Sequence, residues 1–208
     1  LLFCFSPLIY FWCHRARSLK EALWAGWICQ AIFNLIGFHW IVNPVREFGQ
    51  FPEPWGTPIA FGALLLFAAF AHLYVPLIGA LTYKLAERLR HKNITANRTL
   101  VAILLTLIWT LFEHYWPYLF QWHLGYTLLS SGAPLFHFAD IFGFLGLSAL
   151  IFFFQIFIAL HWQQWENSKV RANNLAKLLG IFVILNFLGG LYGFYWSRQE
   201  SSQISILA

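Results

Sequence analysis

The stretch Pro58–Tyr83, PIAFGALLLFAAFAHLYVPLIGALTY, contains no Asp, Glu, Lys or Arg, and the fifteen residues that follow, KLAERLRHKNITANR (84–98), contain five cations. A helix crosses the hydrocarbon core of a bilayer with roughly 20 apolar residues. A charge held at its centre costs several kcal/mol. Pro58–Tyr83 is therefore read as a crossing, and Lys84–Arg98 as a loop outside the core.

The same alternation runs through the chain. Ala22–Val45, Thr99–Phe112, Ile141–Trp165 and Leu178–Ser197 also carry no charged residue. The cations gather at Arg15/Arg17/Lys20, Lys84/Arg88/Arg90/Lys92/Arg98 and Lys169/Arg171/Lys177, which together hold eleven of the thirteen Lys and Arg. The pattern predicts an all-α membrane protein, a polytopic bundle of about six transmembrane helices. The expected segments are Leu1–Cys13, Ala22–Ile41, Pro58–Tyr83, Leu100–Tyr118, Phe142–Trp162 and Leu178–Trp196. Every second connection is basic, so those three are expected in the cytoplasm and the others on the far, periplasmic side. That threading sends Arg198–Ala208 to the periplasm.

Composition agrees. The chain is 60% hydrophobic and 10% charged, whereas about a quarter of the residues of a soluble domain are charged. Mean hydropathy is +0.63. The net charge of +5 belongs to interhelical loops that set orientation and meet anionic lipid, so no nucleic-acid partner is expected. Cys4, Cys13 and Cys29 lack metal or redox spacing and read as buried thiols. Two Asn-x-Thr triplets, at Asn93 and Asn97, lie in the most basic loop and read as chance matches. The chain begins on Leu within an apolar run, holds no Met, and closes on Ile204-Ser-Ile-Leu-Ala208. It is expected to be a fragment with a membrane domain over 1–203. Residues 204–208 are expected to be the opening strand of a further domain.

The far-side connections are rich in aromatics. Asn43–Thr57 combines Pro44, Pro52, Pro54 and Gly49 with Phe48, Phe51 and Trp55, which predicts a stiff loop along the interface. Glu113–Phe138 is interrupted by Pro117 and Gly125 and reads as a re-entrant or interfacial segment. Glu113 is the one acid with apolar sequence on both sides, a pattern that defaults to a functional hypothesis. A hydrogen-bonded carboxylate at the helix mouth is the plainer alternative. Asp140, at the start of a helix, reads as a cap. No two of the eight His are three or four residues apart, so neither a metal site nor a haem site is expected. Nucleophile-elbow and phosphate-loop patterns are missing as well. No cofactor and no catalytic residue is expected within this chain.

The order of features nevertheless resembles a known family. His39-Trp40 closes a helix, Phe48-Gly49 lies in a Pro-rich loop, and Trp109…Glu113 ends a later helix. Phe120-Gln121-Trp122 then leads into Leu124-Gly125-Tyr126, followed by Pro134-Leu135, Gly143 and Gly146-Leu147. These resemble the runs P-x-x-W-x-x-x-E-x-x-R, G-F-P-W-x-x-x-G-Y and G-x-x-G-x-S of the membrane domain of bacterial apolipoprotein N-acyltransferases. Trp116 stands where the family has Arg, and Gln121 where it has Pro. The resemblance implies an inner-membrane enzyme that moves an acyl chain from a phospholipid donor to the diacylglyceryl cysteine of a lipoprotein acceptor. It also implies a periplasmic nitrilase-like domain, with a Glu–Lys–Cys triad, beyond this chain. The segment in hand would then anchor the enzyme and present lipid. Trp40, Phe48, Glu113, Phe120, Trp122 and Tyr126 are the candidate positioning residues.

Two other readings remain open. A small transporter or channel subunit would use polar residues at mid-membrane, and Gln30, Asn34, Gln155 and Asn186 are the candidates for that. A non-catalytic structural membrane protein would need no such residues.

Overall fold

The computed structural model describes residues 4–52, 54–91, 98–117, 123–162 and 168–207, with backbone alone at 89–91, 168–171 and 197–207. All regular elements among these residues are helical: α1 (Ser6–Tyr10, continuing as a π-helix over Phe11–Arg15), α2 (Leu19–Gly37), α3 (Val42–Phe48), α4 (Gly56–Phe70), α5 (Tyr74–His91), α6 (Arg98–Tyr115), α7 (Tyr126–Ser130), α8 (Ala139–His161) and α9 (Ser168–Leu207). Short 3₁₀ turns, His39–Ile41 and Pro134–Phe138, precede α3 and α8. An all-α membrane bundle is what the charge pattern requires. In hydrocarbon a helix satisfies its backbone groups internally.

Three described stretches are long and apolar enough to cross a bilayer: Gly56–Arg88, Pro134–His161 and Ala172–Trp196. A fourth is reached if Leu19–Gly37 and His39–Phe48, bent by 56°, count as one span. This is fewer than the six expected. Arg98–Tyr115 is helical, but its 18 residues include Arg98 at one end and Glu113-His114 at the other, and α1 with its π-turn is short. Two local expectations also change. Within the stiff loop expected over Asn43–Thr57, the stretch up to Phe48 is helical as part of Val42–Phe48, because Pro44 falls in its first turn, where no N–H is needed. Ile204–Leu207 continues α9 as helix. Extending a formed helix adds one hydrogen bond per residue, and no described strand offers a partner for pairing.

The chain divides into two compact units, one of Pro7–Ala96 with Tyr115–Gln121, the other of Leu1–Ser6, Asn97–His114 and Trp122–Ala208. In the first, α2 buries Ala22, Gly26, Gln30 and Asn34, one residue per turn. Gly26 lets α5 approach, since a Cβ there would lie 2.7 Å from the Pro76 Cα. Small residues at helix contacts are how membrane helices pack without a solvent-driven force. The start of α2 is set by Ser18, whose Oγ accepts from the Glu21 N–H at 3.2 Å while Glu21 Oε2 accepts from the Arg17 N–H at 2.8 Å. The pair satisfies one free donor of the helix start, the Glu21 N–H, and the Arg17 N–H just before the cap.

The first unit also holds a broken helix. Phe70 ends α4, Tyr74 begins α5, and Pro76 stands four residues after His72, where its ring conflicts with the normal ladder. Carbonyls freed by the break are taken by side chains. Asn34 Nδ2 donates to the Ala68 carbonyl at 3.2 Å and Gln30 Nε2 to that of Ala69 at 2.9 Å. Trp27 Nε1 shares the Ala69 carbonyl at 3.0 Å, and Trp116 Nε1 donates to Ala71 at 2.9 Å.

The second unit is built on α8, which buries Leu147, Ser148, Ile151, Phe152 and Gln155 on one face. Gly143, with φ +66°, kinks its first turn, a conformation that favours glycine. Asp140 sits in that turn, where the dipole suits a carboxylate. The N-cap position is Phe138, which makes no side-chain capping bond, so Asp140 is not the cap expected. Gln155 receives the Phe5 N–H on Oε1 at 3.2 Å. Asn186 of α9 accepts the Leu135 N–H at 3.3 Å and donates to the Phe182 carbonyl at 2.9 Å.

Candidate functional site

Within the second unit the sequence runs that looked separate come together. Trp109, four residues before Glu113 and so on the same face of α6, is buried against Phe152 (centroids 5.0 Å apart) and edge-on to Phe5 (6.0 Å). That packing turns Glu113 inward, and its residue is only 1% exposed. Glu113 Oε1 accepts the backbone N–H of Leu124 at 2.6 Å. The next N–H, that of Gly125, donates to Ser148 Oγ at 2.8 Å. Ser148 also stands beside the Glu113 carboxyl. Two consecutive amides of the loop are thus clasped, one by α6 and one by α8.

The loop backbone is shaped to fit. A Cβ on Gly125 would run into the Phe144 carbonyl oxygen and come within 2.9 Å of Leu147 Cβ. Glycine is required there for close approach rather than for an unusual φ. The Leu124 carbonyl in turn accepts Thr127 Oγ1–H at 2.6 Å and the Thr127 N–H at 3.1 Å, starting α7. Leu124, Leu128 and Leu135 are buried below. Tyr126 packs on Phe144 at 4.3 Å and on His123 at 5.7 Å. His123 sits beneath its usual range, first because burial disfavours its charged form and second because His114 lies nearby.

The candidate residues fare differently. Glu113 holds the loop, and Tyr126 is the aromatic that the loop presents, half-buried. Trp40 and Phe48 belong to the other unit, where Phe48 is 82% exposed at the end of α3 and Trp40 packs 6.3 Å from Phe38. Phe120 and Trp122, with Gln121, lie outside the described residues, as do Asn93 and Asn97. Ser148 and Gly125 were not among the candidates. Their signal was a hydroxyl in a helix whose only other amide or hydroxyl between Ile141 and Leu160 is Gln155.

Among the described residues no group of three or more His, Cys, Asp or Glu could hold a metal ion. In the clasp one carboxyl oxygen of Glu113 holds the Leu124 amide, while Oε2 is buried without a hydrogen-bond partner.

The family model described as the apolipoprotein N-acyltransferase N-terminal domain matches residues 1–157. The chain belongs to the apolipoprotein N-acyltransferase family. It is 40% identical over 200 residues to an apolipoprotein N-acyltransferase of Bdellovibrio bacteriovorus, covering 96% of this chain and 35% of that protein. It is 26% identical over 186 residues to apolipoprotein N-acyltransferase 2 of Leptospira interrogans, covering 86% of this chain and 29% of the relative. The chain therefore spans about a third of the length of these relatives. No solved structure matches it. At the position where the acyltransferase family pattern has Arg, Trp116 closes the helix break at Ala71 and packs 5.7 Å from Tyr74. The departure has a structural use.

Proposed function

We propose that this chain is the membrane domain of an enzyme that transfers an acyl chain from a phospholipid to the α-amino group of a lipoprotein's N-terminal diacylglyceryl cysteine. Bond-making belongs to a nitrilase-like domain following residue 208, working through a Glu–Lys–Cys triad and a thioester. In this reading the protein lies in the bacterial inner membrane, and the alternating basic loops support placing its carboxyl end in the periplasm. Both substrates carry acyl tails. Their reacting ends must meet at the bilayer surface while the tails stay in hydrocarbon, so the membrane domain contributes proximity and orientation.

The observation that carries this reading is the clasp of Glu113 and Ser148 on Leu124 and Gly125. It joins the family's sequence runs into one device that holds an aromatic loop in place. Tyr126 is the proposed lipid-facing residue of that loop; Phe120 and Trp122 are proposed positioning residues from the sequence alone, and Trp40 and Phe48 are proposed to serve the other far-side segment. The test is acyl transfer to a diacylated lipopeptide by the complete protein. Glu113→Ala is expected to lower turnover with membrane insertion intact. Unchanged turnover would remove the loop from the mechanism.

Transport finds no support in the polar mid-helix residues. Gln30, Asn34, Gln155 and Asn186 each hydrogen-bond to backbone groups.

A further inference from the structure

One end of the first unit gathers charge from three elements. Arg15 ends the π-turn and Arg17 follows it, Lys20 lies in the first turn of α2, and Lys84 and Arg88 lie on α5, all five exposed. The Tyr83 hydroxyl ties these elements together, standing 3.3 Å from the Arg17 carbonyl and 3.2 Å from Glu87 Oε1. The two acids at this end are already engaged, Glu87 by that hydroxyl and Glu21 by the Arg17 N–H. The cations outnumber them.

An apolar groove of about 400 Å³ lies between the same two helices, lined by Leu23, Trp24 and Trp27 of α2, Pro76 and Leu77 of α5, and Trp116. The groove and the charges share faces. Lys20 precedes Leu23, Trp24 and Trp27 by three, four and seven residues. On α5, Leu77, Leu81, Lys84 and Arg88 follow one another at spacings of four, three and four. Side chains so spaced stack on one side of a helix. From Lys84 back to the start of α5 at Tyr74 is about 15 Å of helix, half of the roughly 30 Å hydrocarbon core. The groove's lining ends at Leu77 on α5 and Leu23 on α2. Lys84 follows Leu77 by seven residues, about 10 Å of helix, and Lys20 precedes Leu23 by three. The cations thus stand beyond the groove on the same helix faces.

We propose that this is a binding site for an anionic glycerophospholipid. Its phosphate headgroup would meet Lys20, Lys84 and Arg88, and one acyl chain would lie in the groove against Trp24. Zwitterionic lipid fits the groove equally well but carries an ammonium toward the cations, so charge selects the occupant. On the proposed orientation the cations lie at the cytoplasmic surface, and the site does not depend on acyl transfer.

The test places the complete protein in phosphatidylcholine nanodiscs doped with chain-brominated phosphatidylglycerol or, in parallel, chain-brominated phosphatidylethanolamine. The quenching lost in Trp24→Phe isolates the groove signal from the other tryptophans. Brominated phosphatidylglycerol is expected to quench Trp24 at about tenfold lower mole fraction than the zwitterionic lipid, since each surface cation favours anionic lipid several-fold. In K20Q/K84Q/R88Q that preference should vanish while chain quenching persists. Leu77→Phe, which fills the groove without adding an indole and keeps the cations, should remove quenching of Trp24 by both lipids. Molar salt should shrink the preference in the unsubstituted protein, a check that needs no variant to fold. Equal quenching of Trp24 by the two lipids would overturn the site, as would a preference that survives the triple substitution or high salt.

Discussion

The two units solve the same problem with opposite chemistry. In the first, a proline-broken helix leaves carbonyl oxygens without partners, and neutral N–H donors of Asn34, Gln30, Trp27 and Trp116 supply them. In the second, a loop leaves backbone N–H groups without partners, and acceptors supply them, a carboxylate at Leu124 and a hydroxyl at Gly125. An unsatisfied backbone group in hydrocarbon costs several kcal/mol, so each polar side chain goes where a backbone group is missing its partner. The sign of the defect decides the residue type. Amides and indoles answer carbonyls; an acid and a serine answer amides. One defect lies within a membrane span and serves stability. The other holds a loop and, on the proposed function, serves activity.

That contrast is sharpest at Glu113. Glu113→Ala leaves the Leu124 N–H buried without an acceptor, a penalty of about 1–3 kcal/mol, and should lower acyl transfer roughly ten- to a hundredfold. Amide exchange at Leu124 should accelerate in parallel. Glu113→Gln keeps an acceptor oxygen and should recover most of the rate. A Gln variant as impaired as Ala would mean that the charge itself has a role, and the comparison would fail.

Gly125→Ala should have an effect of similar size for a steric reason, since its methyl meets the Phe144 carbonyl. Protease nicking of the loop in intact proteoliposomes would report its release. Ser148→Ala is expected to be milder, about 1 kcal/mol or roughly fivefold in rate. Combined with Glu113→Ala it should add less than the sum of the two, because both act on one loop. Strict additivity in that double-mutant cycle would separate the two halves of the clasp.

Asn34→Leu tests the other unit. It should lower unfolding stability in detergent by roughly 0.6–2 kcal/mol and leave turnover per folded molecule unchanged. Lost turnover at full stability would break the division between the two defects.

The smallest effect expected is that of pH on His123. Its folded-state value lies below the ordinary 6.5, so the unfolded loop binds protons more readily than the docked one. The docked loop is fully favoured above that ordinary value and weakens as pH falls through the lower folded one. Protection of the Leu124 and Gly125 amides, taken relative to the intrinsic exchange rate at each pH, should fall modestly on acidification, and His123→Phe should flatten that profile.

Much of this was legible before any coordinates. The charge-free stretches marked the helical spans, and the order of short runs pointed to the family. Glu113 stood out because it was the lone acid between apolar stretches. Its partner was not legible. Leu124 offers a backbone amide, which every residue but proline has, and Ser148 lies in a different helix. Leu100–Tyr118 is not among the candidate spans of the described residues because its apolar core is short once Arg98, Glu113 and His114 are placed on the same helix. The prolines of Asn43–Thr57 taken together predict a stiff loop, whereas only Pro44 falls inside α3.

Membrane class and approximate spans follow from the sequence alone because transfer into hydrocarbon is close to a sum over neighbouring residues, and neighbours along the chain are what a sequence displays. Which buried polar group meets which backbone defect is decided only by tertiary structure. Such a bond joins groups far apart along the chain, and its strength depends on a few tenths of an ångström that no local pattern encodes.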